Sequence, residues 1–166
     1  FLGIVVFIDF IKELFIKNSE YWEAIAIVPI VLLANLFLGI YHNLSIWYKL
    51  TDKTRYAMYF SLIGAVLTIA INLLLIPEIG FIASAWATLI AYGTMMFLSY
   101  VTGKKHYPVP YDLKKSGSYL IAAIGISCIS FIYFRENYLV SIAMLILFGS
   151  LIFWNEKNEI KALIKK

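Results

Sequence analysis

Long apolar runs broken by brief polar interruptions set the pattern of this chain. A helix needs about 20 apolar residues to cross ~30 Å of hydrocarbon, and five runs of roughly that length occur, at about 22–47, 56–76, 81–100, 117–134 and 138–154. No Asp, Glu, Lys or Arg falls inside them beyond their margins, where Glu23 is the nearest case. The alternation of a barrel strand is absent and open strands leave backbone groups unpaired in lipid, so the runs predict helices. The opening "FLGIVVFI" has no basic residues before it and no small-residue cleavage site after it, so residues 1–8 read as the end of a truncated transmembrane helix rather than a signal peptide. The expected fold is an all-α, polytopic membrane helix bundle of five transmembrane helices plus the tail of a sixth. Residues 9–116 hold the first three helices with their loops, and 117–166 hold a closing helix pair and a basic tail.

Within the runs, polar residues recur at helical spacing. Positions i, i+3, i+4, i+7 and i+11 share a helix face, and in the second run these are Ser61, Gly64, Ala65, Thr68 and Asn72. The first run repeats the theme with Asn35, Gly39, His42 and Asn43, and the third with Ser84, Thr88, Ala91, Tyr92 and Ser99. Such seams suit close packing, where Ser, Thr and Asn bonds contribute about 0.6–2 kcal/mol each; they equally suit helices around a shared cavity. Asn35, His42 and Asn72 stand out, because a buried amide or imidazole is costly to leave unpaired, although His42 also fits an interfacial histidine whose bonds are satisfied. The fourth run has only a weak seam, Ser118, Ala122 and Gly125, and the fifth is apolar nearly all round, so these two read as a peripheral pair. Between the second and third runs stands "IPEIG". Pro77 is expected to stop one helix, Gly80 to permit a tight reversal, and Glu78 to face water.

Aromatic residues gather at run ends: Tyr21, Trp22, Trp47, Tyr48, Tyr56, Tyr59, Tyr100, Tyr138 and Trp154. They are expected to form interfacial belts. Alternating helices put 48–55, 101–116 and 155–166 on one side of the membrane. That side carries Lys49, Lys53, Arg55, Lys104, Lys105, Lys114, Lys115, Lys157, Lys161, Lys165 and Lys166, eleven of the chain's 14 basic residues; the other side keeps Lys12, Lys17 and Arg135. The positive-inside rule makes the richer side cytoplasmic, the C-terminus with it, and sets the "PEIG" turn outside. The tail "NEKNEIKALIKK" either continues the last helix or lies on the inner leaflet near anionic lipids.

Composition agrees: 62% hydrophobic, 14% charged, and a mean hydropathy of +0.84, against about 45–50% apolar in soluble domains. The net charge of +4 does not mark a nucleic-acid partner, because the basic residues lie between spans rather than on one groove-shaped face. The single cysteine, Cys128, excludes a disulfide framework and a cysteine-based metal site. His42 and His106 lack an acid at helical spacing, no cluster has metal-ligand spacing, and no Gly-rich phosphate loop follows a strand. No catalytic, metal or cofactor site is therefore expected. All ten acids lie in expected loops or span margins, which leaves no carboxylate for a membrane-embedded ion relay in this stretch.

The order "VPIVLLANLFLGIYHNLSIWYKLTDKT", a helix closing on "INLLLIPEIG", then "ASAWATLIAYG" and the loop "KKHYPVPYDLKK" resembles the C-terminal part of polysaccharide flippases of the multidrug/oligosaccharidyl-lipid/polysaccharide exporter superfamily. The resemblance covers about residues 22–115; residues 117–166 match as two generic closing helices. It implies a two-lobed transporter, commonly of fourteen helices, of which this chain supplies part of the C-terminal lobe. It also implies movement of polyprenyl-diphosphate-linked oligosaccharides across the bacterial cytoplasmic membrane by alternating access, for O-antigen or other surface polysaccharide. The implied partners are lipid-linked oligosaccharide, membrane lipids and the N-terminal half of the same chain. Substrate-path candidates are Asn35, His42, Asn43, Thr68, Asn72, Ser84 and Thr88. Such cavities commonly hold basic residues, and the spans here carry none, so diphosphate recognition falls to N-terminal helices, loop lysines or neutral donors. Alternatives are a cation-coupled multidrug exporter of the same superfamily, a membrane glycosyl- or acyltransferase or polymerase, and a purely structural subunit.

Overall fold

The computed structural model describes residues 1–16, 19–106, 113–133 and 138–164. Among them every regular element is helical: α1 (Leu2–Val6), α2 (Ile8–Phe15), a 3-10 segment (Ser19–Ile27), α3 (Val28–Leu44), α4 (Ile46–Leu50), α5 (Arg55–Ile79), α6 (Ile82–His106), α7 (Leu113–Tyr133) and α8 (Tyr138–Ile164). Among the described residues, four stretches are long and apolar enough to cross a membrane: Ala24–Leu50, Arg55–Ile79, Ile82–His106 and Lys115–Tyr133. The fifth expected span, 138–154, falls within α8 but is not one of these four. That helix then continues through the tail to Ile164. The basic loop's residues 107–112, the expected outer turn at 135–137 and Lys165 and Lys166 lie outside the described residues.

The chain forms two compact units. In the first, 23–110, helix α6 is central and both α3 and α5 pack on it. Its sequence explains the position. Ala83, Ala87, Ala91, Met95, Ser99 and Gly103, each four residues from the next, are all buried, and small side chains let neighbouring backbones approach where lipid offers no hydrophobic drive. On α5 the matching position is Gly64, where a Cβ would come within 2.5 Å of the Met95 sulfur.

The α5–α6 reversal corrects one expectation. Pro77 does not stop α5, which runs on to Ile79. Proline removes a single N–H, and in a bilayer abandoning the helix there would leave more backbone groups unpaired. Gly80 ends it instead, with φ 61° and ψ −143°, a conformation open essentially to glycine. Its N–H donates to the Ile76 carbonyl at 2.9 Å. Helix α6 then outruns its expected end by a turn and a half, placing Lys104, Lys105 and His106 in its last turn, where basic side chains suit the negative end of the helix dipole.

Ser45 separates α3 from α4. Its hydroxyl donates to the His42 carbonyl at 2.6 Å, a local bond of the kind that bends helices. The link from α4 to α5 turns at Asp52, φ 54°, a left-handed position that Asp tolerates better than most residues.

The second unit comprises Leu2–Trp22 and Tyr111–Lys166. Segment 9–21, which lies between the first apolar stretch and the first full run and so outside any expected span, holds all but the first residue of α2, and Asp9 within it is buried and paired with Lys12 at 3.1 Å. Lys12 also lies over the Trp22 ring, 4.3 Å from its centroid. Helix α1 packs on α7 and α8. The buried face of α7 is Ala123, Ser127 and Ser130, not the expected Ser118, Ala122 and Gly125, of which Ser118 and Gly125 are exposed. Lys115 pairs with Glu156 at 2.9 Å, and the Tyr119 hydroxyl donates to the same carboxylate at 3.1 Å. These contacts join the start of α7 to the polar end of α8, as antiparallel neighbours require.

Candidate functional site

The seven candidate path residues separate into two groups. On α5 and α6, Ser84 donates to the Asn72 side-chain oxygen at 3.0 Å, joining the two helices. Thr68 donates to the Gly64 carbonyl at 2.9 Å and Thr88 to the Ser84 carbonyl at 2.8 Å, each within its own helix. All four are half-buried. Their polar atoms serve the α5–α6 contact and the helix backbones.

On α3 the arrangement differs. Asn35 and His42, expected to be buried, are exposed, as are Gly39 and Asn43. The Asn35 amide donates to the Val31 carbonyl at 2.9 Å and that of Asn43 to the Gly39 carbonyl at 3.2 Å. One N–H of each amide is thereby used, while each carboxamide keeps an acceptor oxygen and a second donor. His42 leans on Tyr41, with ring centroids 5.6 Å apart. The three seams therefore do not converge on one cavity among the described residues: α5 and α6 meet through theirs, and α3 buries Ala34 and Tyr41 while its polar face stays open.

The aromatic cluster at the α4, α5 and α6 ends was not legible from the sequence. Trp47 and Tyr48, expected in an interfacial belt, are each only 4% exposed, whereas Tyr59 is half exposed as a belt residue would be. The Trp47 ring N–H donates to the Ser99 carbonyl at 3.2 Å. Its ring fits over Gly103, where a Cβ would approach to 2.8 Å. His106 stacks on Trp47 at 5.3 Å and 11°, and Tyr56 leans on both, at 5.2 Å from Trp47 and 5.4 Å from His106. The His106 Nδ1 sits 3.0 Å from the Thr102 carbonyl, which can only accept, so that nitrogen carries the proton. The Tyr48 hydroxyl donates to that of Tyr41 at 3.3 Å. The one available sequence signal was the four-residue spacing that carries the alanine stripe of α6 on to Ser99 and Gly103.

Among the described residues, no group of three or more His, Cys, Asp or Glu is placed to hold a metal ion. An apolar hollow of about 660 Å³ lies against α1 and α2, lined by Gly3, Ile4, Phe7, Phe10 and Ile11. The chain matches no family model, no curated protein and no solved structure. Among the described residues the geometry is all-helical, with several helices fit to span a membrane and a polar face of α3 left open.

Proposed function

We propose that this chain is part of a non-enzymatic transporter that flips polyprenyl-diphosphate-linked oligosaccharides across the bacterial cytoplasmic membrane for surface polysaccharide synthesis, with its C-terminus cytoplasmic. The observation that carries the reading is the ordered set "GIYHNLSIWYKLTDKT", "INLLLIPEIG" and "ASAWATLIAYG". The set falls on the end of α3 with α4 and its link, the end of α5 and the start of α6, all in one packed unit. Eleven of 14 Lys and Arg lie on one expected side, which supports the orientation.

In this reading the α5–α6 pair, joined by Asn72 and Ser84 and by Met95 over Gly64, moves as one body during alternating access. The substrate meets neutral donors and acceptors on α3, and the diphosphate is met by basic residues elsewhere. Deletion of the intact gene tests this. Polyprenyl-linked repeat units should accumulate on the cytoplasmic face while surface glycan is lost. Normal glycan with no accumulation overturns the proposal, and drug sensitivity with unchanged glycan points to a cation-coupled exporter instead.

A further inference from the structure

Every exposed residue of α3 is small or polar: Asn35, Gly39, His42 and Asn43. All four lie on one face, and no large hydrophobic residue between Trp22 and Ile46 is among the exposed ones. Helix α5 exposes mainly large apolar side chains, with Ser61 and Ala65 among smaller exposed ones. One exposed stripe of it is Leu62, Val66, Ile69, Leu73 and Ile76, spaced four and three apart. Lipid accepts the second surface readily. It does not accept the first, because carboxamide and imidazole groups at membrane depth are driven toward protein or water.

We infer that the Asn35–Gly39–His42–Asn43 face of α3 borders the aqueous substrate path and contacts the saccharide of a lipid-linked substrate, while α5 faces lipid. This deepens, and rests on, the flippase reading. The ligand class follows from the chemistry of the face. From Asn35 to Asn43 the helix rises about 12 Å, a length over which two carboxamides and an imidazole offer both donors and acceptors. Gly39, with no side-chain atom within 4 Å of where a Cβ would stand, leaves the middle of the face low. No Lys or Arg lies on the face, so a hydroxyl-rich neutral group is complementary to it and a diphosphate is not.

Cysteine accessibility tests the assignment. In the full-length protein with Cys128→Ser, each of Asn35→Cys, His42→Cys and Asn43→Cys is labelled in native membranes with a charged thiosulfonate, beside Leu62→Cys, Val66→Cys and Leu73→Cys. Variants are compared at equal membrane levels. The α3 positions should react about tenfold faster or more, since the thiolate is the reacting form and an apolar setting suppresses it. Lipid-linked saccharide extracted from the same cells should slow that labelling, and polyprenyl diphosphate without sugar should not. Equal, slow labelling on both helices overturns the α3 assignment. Protection by both lipids, or by neither, overturns the saccharide contact. Because labelling needs no transport, fast α3 labelling with normal glycan in the deletion strain would remove the flippase reading and the saccharide contact and leave the water-facing surface standing.

Discussion

Helices α3 and α5 both pack on α6 and both are apolar enough to span a membrane, yet they spend their polar residues in opposite ways. The Gly64, Thr68 and Asn72 part of the α5 seam is turned inward, with Asn72 bonded to Ser84 and Gly64 covered by Met95, while Ser61 and Ala65 are exposed beside a mainly hydrocarbon outer face. The seam of α3 is turned outward, while Ala34 and Tyr41 do its packing. In water the two choices would differ little. In lipid an inward polar residue adds to helix association and an outward one must find water or another polar surface. The direction a polar seam faces thus decides whether its partner lies within the packed unit or has to be water or another polar surface.

The largest expected effect concerns how the α3 side is held. Trp47 anchors α4 on α6 through its bond to the Ser99 carbonyl and its stack on His106. Trp47→Ala should cost about 3–5 kcal/mol, the range for buried Trp truncations. Thermal unfolding of the detergent-solubilised protein measures it, and a change comparable to that of the exposed Trp22→Ala would mean that the cluster contributes little.

A charge placed on each open face contrasts the two helices directly. Val66→Lys, on the hydrocarbon face of α5, should reduce membrane insertion by about 2.5–3.5 kcal/mol, as for lysine at a span centre. Asn35→Lys, on the open face of α3, should cost little in the intact protein. The membrane-integrated fraction of each variant reports this, and equal losses would erase the distinction between the faces.

This distinction shows how far the sequence could be read. Run lengths place four of the spans, since crossing lipid demands apolar length and little else; the expected 56–76 lies inside α5, and 81–100 begins one residue before α6. Helical spacing also finds the polar seams, but an inward and an outward seam have the same spacing. Only packing separates Asn72 from Asn35. The turn was half legible: proline and glycine mark it, yet a membrane helix absorbs proline in its last turn, so the reversal waits for Gly80. Trp47 misled because an aromatic at a span end fits a lipid interface as well as a protein core, and its site depends on Gly103, distant in sequence. Helix α2 was missed because its charges, Asp9 and Lys12, look like loop residues until they are seen paired.

The smallest effect separates the faces most sharply, because it asks for two readouts to move in opposite ways. A double-mutant cycle of Asn72→Ala and Ser84→Ala should give a coupling of about 0.6 kcal/mol, up to ~1.7, the range for bonds between membrane helices. Asn35→Ala and Asn43→Ala remove bonds that stay within one turn of α3, so each should leave unfolding nearly unchanged and show no coupling to Ser84. If the open face borders the substrate path, these two variants should instead reduce surface glycan at normal protein levels, whereas Ser84→Ala should act on stability first. A measurable coupling between Asn35 and Ser84 would tie the open face to the α5–α6 contact and end the separation of roles. Loss of glycan in every variant in proportion to lost stability would do the same, since the α3 amides would then matter only as structure.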